Sequence, residues 1–150
     1  MTTRPTRTPN VELVAANVSL SRDEVMWKLA SLLSVETPHR LREIFGALRT
    51  REEQGTTALE TRVAFPHATV NDLDDIVLAL LVVPSGVEFG GEVKPVSLFF
   101  GLLSPPEKQV EMLRRVVRLA RFFEGRAARE KLLDASSAEE AALTLSGAED

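Results

Sequence analysis

Two strongly apolar runs in the middle of the chain constrain the fold more than any other feature. They are IVLALLVV at residues 76–83 and VSLFFGLL at residues 96–103. A strand with one solvated face alternates apolar and polar residues, whereas a strand covered on both faces reads as a continuous apolar run. Both runs are far shorter than the ~20 residues of a membrane-spanning helix. We therefore expect two buried strands in a covered sheet.

Shorter signals surround these two runs. The segments PSG at 84–86 and FGG at 89–91 predict turns between the strands. Upstream, VAF at 63–65 predicts a short extended run that Pro66 halts, because proline cannot donate to a sheet ladder. These segments place the strands together in the middle of the chain.

Helical patterns precede the strands. Ser21 and Glu24 have the spacing of a capping box at the start of an amphipathic run. Thr37 and Pro38 predict the start of a second helix, which ends near Gly55. His39, in the first turn of that helix, is interpreted as an exposed residue without a functional role.

Helical patterns also follow the strands. Ser104, Pro105 and Glu107 predict a helix start with a capping serine, and Gly125 predicts its end. Apolar residues of this helix form one broad arc, and its arginines lie opposite, on a solvated face: Arg114, Arg115, Arg118 and Arg121. A short helix through Leu133 and a last helix capped by Ser137 and Glu140 complete the chain. Two helices, a group of strands and three helices predict an α/β layer fold.

The composition excludes several classes of function. The chain has 150 residues, which suits one domain, and a formal net charge of −4, which argues against a nucleic-acid partner. It contains no cysteine, so a disulfide framework, a thiolate metal site and a cysteine nucleophile are excluded, and the cytoplasm is the expected compartment. Residues 1–10 are expected to form a flexible tail, and residues 11–147 a single domain without membrane insertion.

His67, at the end of TRVAFPH (61–67), is the main candidate for chemistry. An imidazole can serve as base, nucleophile or metal ligand, or it can be a structural residue. A metal site is disfavoured because the chain has only two histidines, and Asp72, Asp74 and Asp75 lack ligand-like spacing. No nucleophile elbow is present for a serine triad. The residues alone leave a structural histidine and a functional one both open.

The segment REEQGTTALETRVAFPHATV (51–70) resembles the active-site region of the type-2 EIIA domains of the bacterial phosphotransferase system (PTS). The similarity is to the fructose/mannitol type and above all to its nitrogen-regulatory branch. It rests on Arg51-Glu52, Gly55, Thr56-Thr57 and the Pro66-His67 motif, and it continues through both apolar runs and the following helix. The resemblance implies a single α/β domain with a mixed sheet flanked by helices on both faces.

The resemblance also implies roles for three residues. His67 would be the phosphoacceptor, taking a phosphoryl group from an HPr-like phosphocarrier protein. Arg51 would stabilise phosphate charge, although on its own it reads as a surface arginine at a helix C-terminus. Thr57 would hydrogen-bond the imidazole or the phosphate, with an ordinary turn threonine as the alternative. No cofactor and no metal are implied.

The sequence departs from the family pattern at two places. Many relatives carry a second histidine on the helix after the last strand, and that position is Met112 here, whose thioether has no proton to donate. Ala58, Glu60 and Arg62 replace the usual glycines, so the turn is expected to differ if those positions need positive φ.

Two classes of function therefore remain. The chain is either a phosphorylated IIA-like regulator, and so a possible protein-histidine phosphotransferase, or an interaction regulator whose phosphorylation is impaired. A free-standing sugar-specific IIA component is a further alternative. The downstream partner, whether a regulated protein or a separate IIB component, and the oligomeric state cannot be read from the residues.

Overall fold

A five-stranded sheet lies at the centre of the computed structural model, which describes residues 9–35, 37, 41–90 and 94–149. Its strands are β1 (Asn10–Leu13), β2 (Val63–Ala64), β3 (His67–Thr69), β4 (Val77–Val87) and β5 (Val96–Ser104). β4 and β5 are antiparallel. β1 pairs in parallel with β4, on the edge of β4 away from β5. β2 and β3 both pair in parallel with β5, on the edge of β5 away from β4. The sheet is therefore mixed, as predicted.

Five helices in the described part of the chain cover the two faces of this sheet. They are α1 (Arg22–Ser34), α2 (Leu41–Glu53), α3 (Gln109–Phe122), α4 (Arg126–Leu133) and α5 (Ala138–Glu149). Side chains alternate along β4, so Ala79 and Leu81 pack in the core beneath α1 and α2, whereas Leu78 and Leu80 pack in the core beneath α3 to α5. The predicted α/β architecture with helices on both faces is confirmed.

Capping explains where two of the helices begin. At α1 the Ser21 hydroxyl accepts a hydrogen bond from the Glu24 backbone N–H at 3.1 Å, and the Glu24 carboxylate accepts one from the Ser21 N–H at 3.0 Å. At α5 the Ser137 hydroxyl accepts from the Glu140 N–H at 3.1 Å. The Glu140 carboxylate, however, accepts from the backbone and hydroxyl of Ser136 rather than from Ser137. Pro38 and His39, predicted at the start of α2, lie outside the described residues.

The prediction at Ser104 is wrong. Ser104 is the last residue of β5 and is fully buried, and its carbonyl accepts a hydrogen bond from the Val70 N–H at 3.0 Å. A 3-10 turn, Pro106–Lys108, follows, and α3 begins only at Gln109. The pairing with the chain beyond β3 keeps Ser104 in the sheet, so it does not cap the helix.

The strand boundaries also differ from the prediction. The PSG segment does not end β4, which continues to Val87 across a register shift between Val82 and Val87. In the predicted FGG turn, Phe89 is fully buried and Gly90 has a φ of +128°, while Gly91 lies outside the described residues. β1 was not predicted at all, and its Asn10 belongs to the segment expected to be a tail. Residues 1–8 of that tail lie outside the described part.

α3 is buried along a narrower face than its apolar arc predicts. Met112, Leu119 and Phe123 are fully buried, whereas Val110 is 64% exposed. Arg115, expected on the solvated face, forms an ion pair with Glu149 of α5. None of the helices in the described ranges has the length and apolar content needed to span a bilayer.

Candidate functional site

His67 is the first residue of β3 and is only 9% exposed. Its backbone pairs with Leu102 of β5, and the carbonyl of the preceding Pro66 accepts a hydrogen bond from the Leu102 N–H at 3.0 Å. Ala68 packs in the core beneath α1 and α2, so strand alternation directs His67 to the opposite face, beneath α3. The histidine therefore stands on a rigid strand rather than on a loop.

A backbone carbonyl determines the tautomer of the His67 ring. Nδ1 lies 2.7 Å from the carbonyl oxygen of Phe65. A carbonyl oxygen only accepts hydrogen bonds, so Nδ1 carries the proton and donates it. In the neutral ring Nε2 then holds the lone pair, which is the form a nucleophile or a base requires.

An open cavity of about 390 Å³ lies beside the ring. The helix α3 and the aromatic and aliphatic side chains near β2 give it mainly apolar walls, and Arg51, Arg121 and Glu124 bring charge to it. Its lining residues are Arg51, Thr56, Thr57, Leu59, Phe65, His67, Val116, Val117, Ala120, Arg121 and Glu124. Such a cavity excludes part of the solvent around His67 and places cationic side chains beside it.

Arg51 and Arg121 approach the cavity from different elements. Arg51 lies in the last turn of α2, where its Nη1 donates to the Gly55 carbonyl at 3.0 Å, which uses one of the five N–H donors of a guanidinium. Arg121 lies in the last turn of α3. Sequence reasoning singled out Arg51 but assigned Arg121 to a solvated face. Arg121 is indeed exposed, but it also borders the cavity, and only the packing of α3 on the sheet shows this.

Thr57 lines the cavity, but its hydrogen bonds go elsewhere. Its hydroxyl donates to Oε1 of Glu52 at 2.8 Å and accepts from the Phe65 N–H at 3.1 Å, and its backbone N–H donates to Oε2 of Glu52 at 2.6 Å. Glu52 is only 2% exposed. Sequence reasoning gave Glu52 no role, although the Arg51-Glu52 pair of the motif was the available signal.

The described residues include no group of three or more histidine, aspartate or glutamate side chains placed to hold a metal ion.

Comparison with known proteins assigns the family. A protein-family model described as the phosphoenolpyruvate-dependent sugar phosphotransferase system, EIIA 2, matches residues 10–147 of the sequence. The chain belongs to this family. A nitrogen regulatory protein of Bradyrhizobium diazoefficiens is 30% identical over 125 residues, which cover 83% of this chain and 81% of that protein.

Solved structures of the EIIA family share the fold. The nitrogen regulatory protein IIA-Ntr from Neisseria meningitidis matches with a TM-score of 0.81 at 31% identity, over 92% of this chain and 93% of that one. A chain of the Escherichia coli complex between enzyme IIA mannitol and phosphorylated enzyme IIB mannitol matches with a TM-score of 0.67 at 22% identity, over 91% and 99% of the two chains. The identity and the TM-score are both higher for the nitrogen-regulatory protein.

Within this EIIA fold, the two departures from the family pattern have different outcomes. Met112 is fully buried in the core beneath α3 to α5. It does not line the cavity, because the part of α3 that does so begins about one helical turn after Met112. At Arg62 the arginine itself adopts a φ of +68°, and its carbonyl accepts from the N–H of Ser97 at 3.0 Å. The left-handed conformation therefore occurs here without a glycine. Among the described residues, Ala58 and Glu60 do not have positive φ.

Proposed function

We propose that this chain is a regulatory phosphocarrier of the nitrogen-regulatory type, and that His67 accepts a phosphoryl group from an HPr-like carrier protein. The observation that carries the proposal is the 2.7 Å contact between Nδ1 of His67 and the Phe65 carbonyl. It leaves Nε2 as the nucleophilic nitrogen of a ring that borders a cavity containing two arginines. A purely structural histidine requires neither the cavity nor the arginines.

The chemistry follows from this tautomer. The Nε2 lone pair attacks phosphorus, a new N–P bond forms, and the N–P bond of the carrier's phosphohistidine breaks, so that the carrier imidazole leaves with the electron pair. The His67 ring becomes positively charged at that moment. Its Nδ1–H then donates a charge-assisted hydrogen bond to the Phe65 carbonyl, which stabilises the product. The transfer is nucleophilic catalysis through a covalent intermediate.

Arg51 and Arg121 supply the charge stabilisation that phosphoryl transfer requires. A loose transition state spreads negative charge over three oxygens, and fixed cationic donors lower its energy. The guanidinium fork matches two such oxygens at once. Arg51 lies on α2 and Arg121 on α3, so two different helices supply the cations that line the cavity.

The regulatory assignment draws on the relatives. A protein with 30% identity is named a nitrogen regulatory protein, which favours control of a partner protein over sugar transport. The E. coli mannitol complex joins a IIA to a phosphorylated IIB, so a separate IIB component is the other candidate partner. Exchange with an HPr-like carrier and such partners places the proposed activity in the cytoplasm.

Labelling in a reconstituted cascade tests the proposal. The protein is incubated with phosphoenolpyruvate, enzyme I and an HPr-like carrier, and its intact mass is followed over time. We expect an acid-labile gain of one phosphoryl group in wild type and in His39→Gln, which removes the only other histidine, and no gain in His67→Gln. An unlabelled wild type, in a cascade that labels a known acceptor, rules out phosphotransfer.

The alternative is an interaction regulator whose phosphorylation is impaired. The burial of Met112 favours it, because a thioether in the core supplies no proton to a phosphoryl group on His67. Under this alternative wild type labels slowly. If wild type reaches complete labelling at the rate of a known acceptor, the alternative is excluded.

A further inference from the structure

Glu52 is a buried carboxylate that the proposed phosphotransfer does not use. It is 2% exposed and lies one residue before the C-terminal end of α2. Burial removes the water that would otherwise hydrogen-bond its oxygens. Its two oxygens accept the backbone N–H and the hydroxyl of Thr57 at 2.6 and 2.8 Å. A carboxylate kept at such a place requires an explanation.

The carboxylate decides which way the Thr57 hydroxyl points. An ionised carboxylate only accepts, so the single hydroxyl proton of Thr57 is directed to Glu52. The oxygen lone pairs then remain for the Phe65 N–H, which lies 3.1 Å away. With a glutamine at position 52, one of the two acceptor oxygens becomes an NH₂ donor, so one of the two hydrogen bonds that Thr57 donates is lost.

Phe65 is held at three points, and its carbonyl is the partner of His67. Thr57 fixes its N–H, the following Pro66 restricts its backbone to the extended region, and its ring stacks on Phe100 with centroids 5.2 Å apart. These restraints determine the direction of the Phe65 carbonyl, which lies 2.7 Å from Nδ1 of His67. Hydrogen bonds thus connect Glu52 to Thr57 and Thr57 to the Phe65 N–H, and the backbone of Phe65 links them to the carbonyl that contacts His67.

We propose that Glu52 is a positioning residue which, through Thr57 and Phe65, holds His67 in the Nδ1–H tautomer and so keeps Nε2 available for phosphorylation. The inference deepens the proposed function and rests on it. Glu52 does not touch the transferred phosphate in this account. It acts by orienting the carbonyl that selects the reactive form of the ring, and Thr57 serves the same purpose rather than binding phosphate directly.

The tautomer of His67 tests this proposal without any phosphotransfer. Two-bond ¹H–¹⁵N correlation spectra in alkaline buffer, where the imidazole is neutral, report which ring nitrogen carries the proton. We expect Nδ1–H in wild type, and an increased share of Nε2–H in Glu52→Gln and in Thr57→Val. Glu53→Gln is the matched control, because Glu53 is the next residue and its side chain is 61% exposed. Thr57→Ser, which keeps the hydroxyl, should retain the wild-type spectrum.

The labelling rate supplies the second readout. Glu52→Gln and Thr57→Val should slow phosphorylation by about 10- to 100-fold, as is typical when the partner that orients a reactive group is lost. Thr57→Ser and Glu53→Gln should stay near the wild-type rate. Thermal unfolding confirms that each variant is folded, and if Glu52→Gln unfolds, the near-isosteric Thr57→Val decides.

The outcomes separate this proposal from the proposed function. The positioning role is overturned if Glu52→Gln and Thr57→Val are folded and keep the wild-type tautomer of His67. It is also overturned if they keep the wild-type rate of phosphorylation. If instead wild type is never labelled but both variants change the tautomer, the positioning role stands and the phosphocarrier function fails.

Discussion

The same substitution at two glycines should change stability in opposite directions. Gly101 lies in the middle of β5, where α1 crosses the sheet. A Cβ at this position would meet the Leu29 Cδ2 at 3.1 Å and the Leu33 Cδ1 at 3.3 Å. Both leucines are fully buried, so neither has free space to move into. Gly46 lies within α2, and a Cβ there would meet no atom within 4 Å.

The magnitudes follow from these surroundings. Overpacking a core by a methyl group costs about 1–3 kcal/mol, and the reduced entropy of the unfolded chain returns about 0.4–1 kcal/mol. Gly101→Ala should therefore lower the free energy of unfolding by about 1–2 kcal/mol, a decrease in Tm of roughly 2–8 °C for a chain of this size. Gly46→Ala should raise the free energy of unfolding by about 1 kcal/mol, because alanine is the better helix former.

Urea unfolding of the two variants and wild type, followed by circular dichroism, measures both effects. Equal slopes in the three curves show that the denatured states are comparable. Gly101→Ala with wild-type or higher stability would contradict the close approach of α1 to β5. A destabilised Gly46→Ala would show that its side of α2 is not open.

Two further predictions concern the helices. Hydrogen bonds from the backbone N–H and then the hydroxyl of Ser21 hold the pKa of Glu24 below its ordinary value. The stability that this cap contributes is therefore complete at a pH above the ordinary pKa of Glu24, and it is lost as the pH falls through the lower pKa of the folded state. Glu24→Gln should flatten the acid side of the stability–pH curve, and an unchanged curve would refute the cap. The two-bond pair between Arg115 and Glu149, with side chains only 16% and 18% exposed, should give a coupling of about 1–2 kcal/mol in an alanine double-mutant cycle. A coupling near zero would count against the docking of α5 on α3.

The sequence predicts the layers of this fold because buried positions are occupied by apolar residues in a pattern that depends on the secondary structure. The runs at 76–83 and 96–103 became the central antiparallel pair, and the capping box of Ser21 and Glu24 gave the start of α1. β1 was missed because all four of its residues are partly exposed, and only pairing with β4 makes the segment a strand. Ser104 was misassigned because local capping preference competes with the sheet pairing that retains it in β5.

For the candidate site, the sequence identified the residues of the motif but not their connections. His67, Arg51 and Thr57 all border one cavity. Arg121 could not be assigned, because its approach depends on how α3 crosses the sheet. The hydrogen bonds of Glu52 could not be foreseen either, because a buried glutamate beside an exposed one gives no sign of burial in the sequence. Local patterns report periodicity, whereas the site joins residues 51–67 to residues 116–124, which lie far apart in the chain.

The position of the phosphoryl group on the protein is the decisive test of His67 as the phosphoacceptor. After labelling by the phosphoenolpyruvate-driven cascade, heteronuclear NMR of the phosphorylated protein identifies both the residue and the ring nitrogen that carry the group. We expect one phosphoryl group per chain, on Nε2 of His67, with the Nδ1–H still donating to the Phe65 carbonyl. Phosphate on Nδ1, on another residue, or absent from a protein exposed to an active cascade would contradict it.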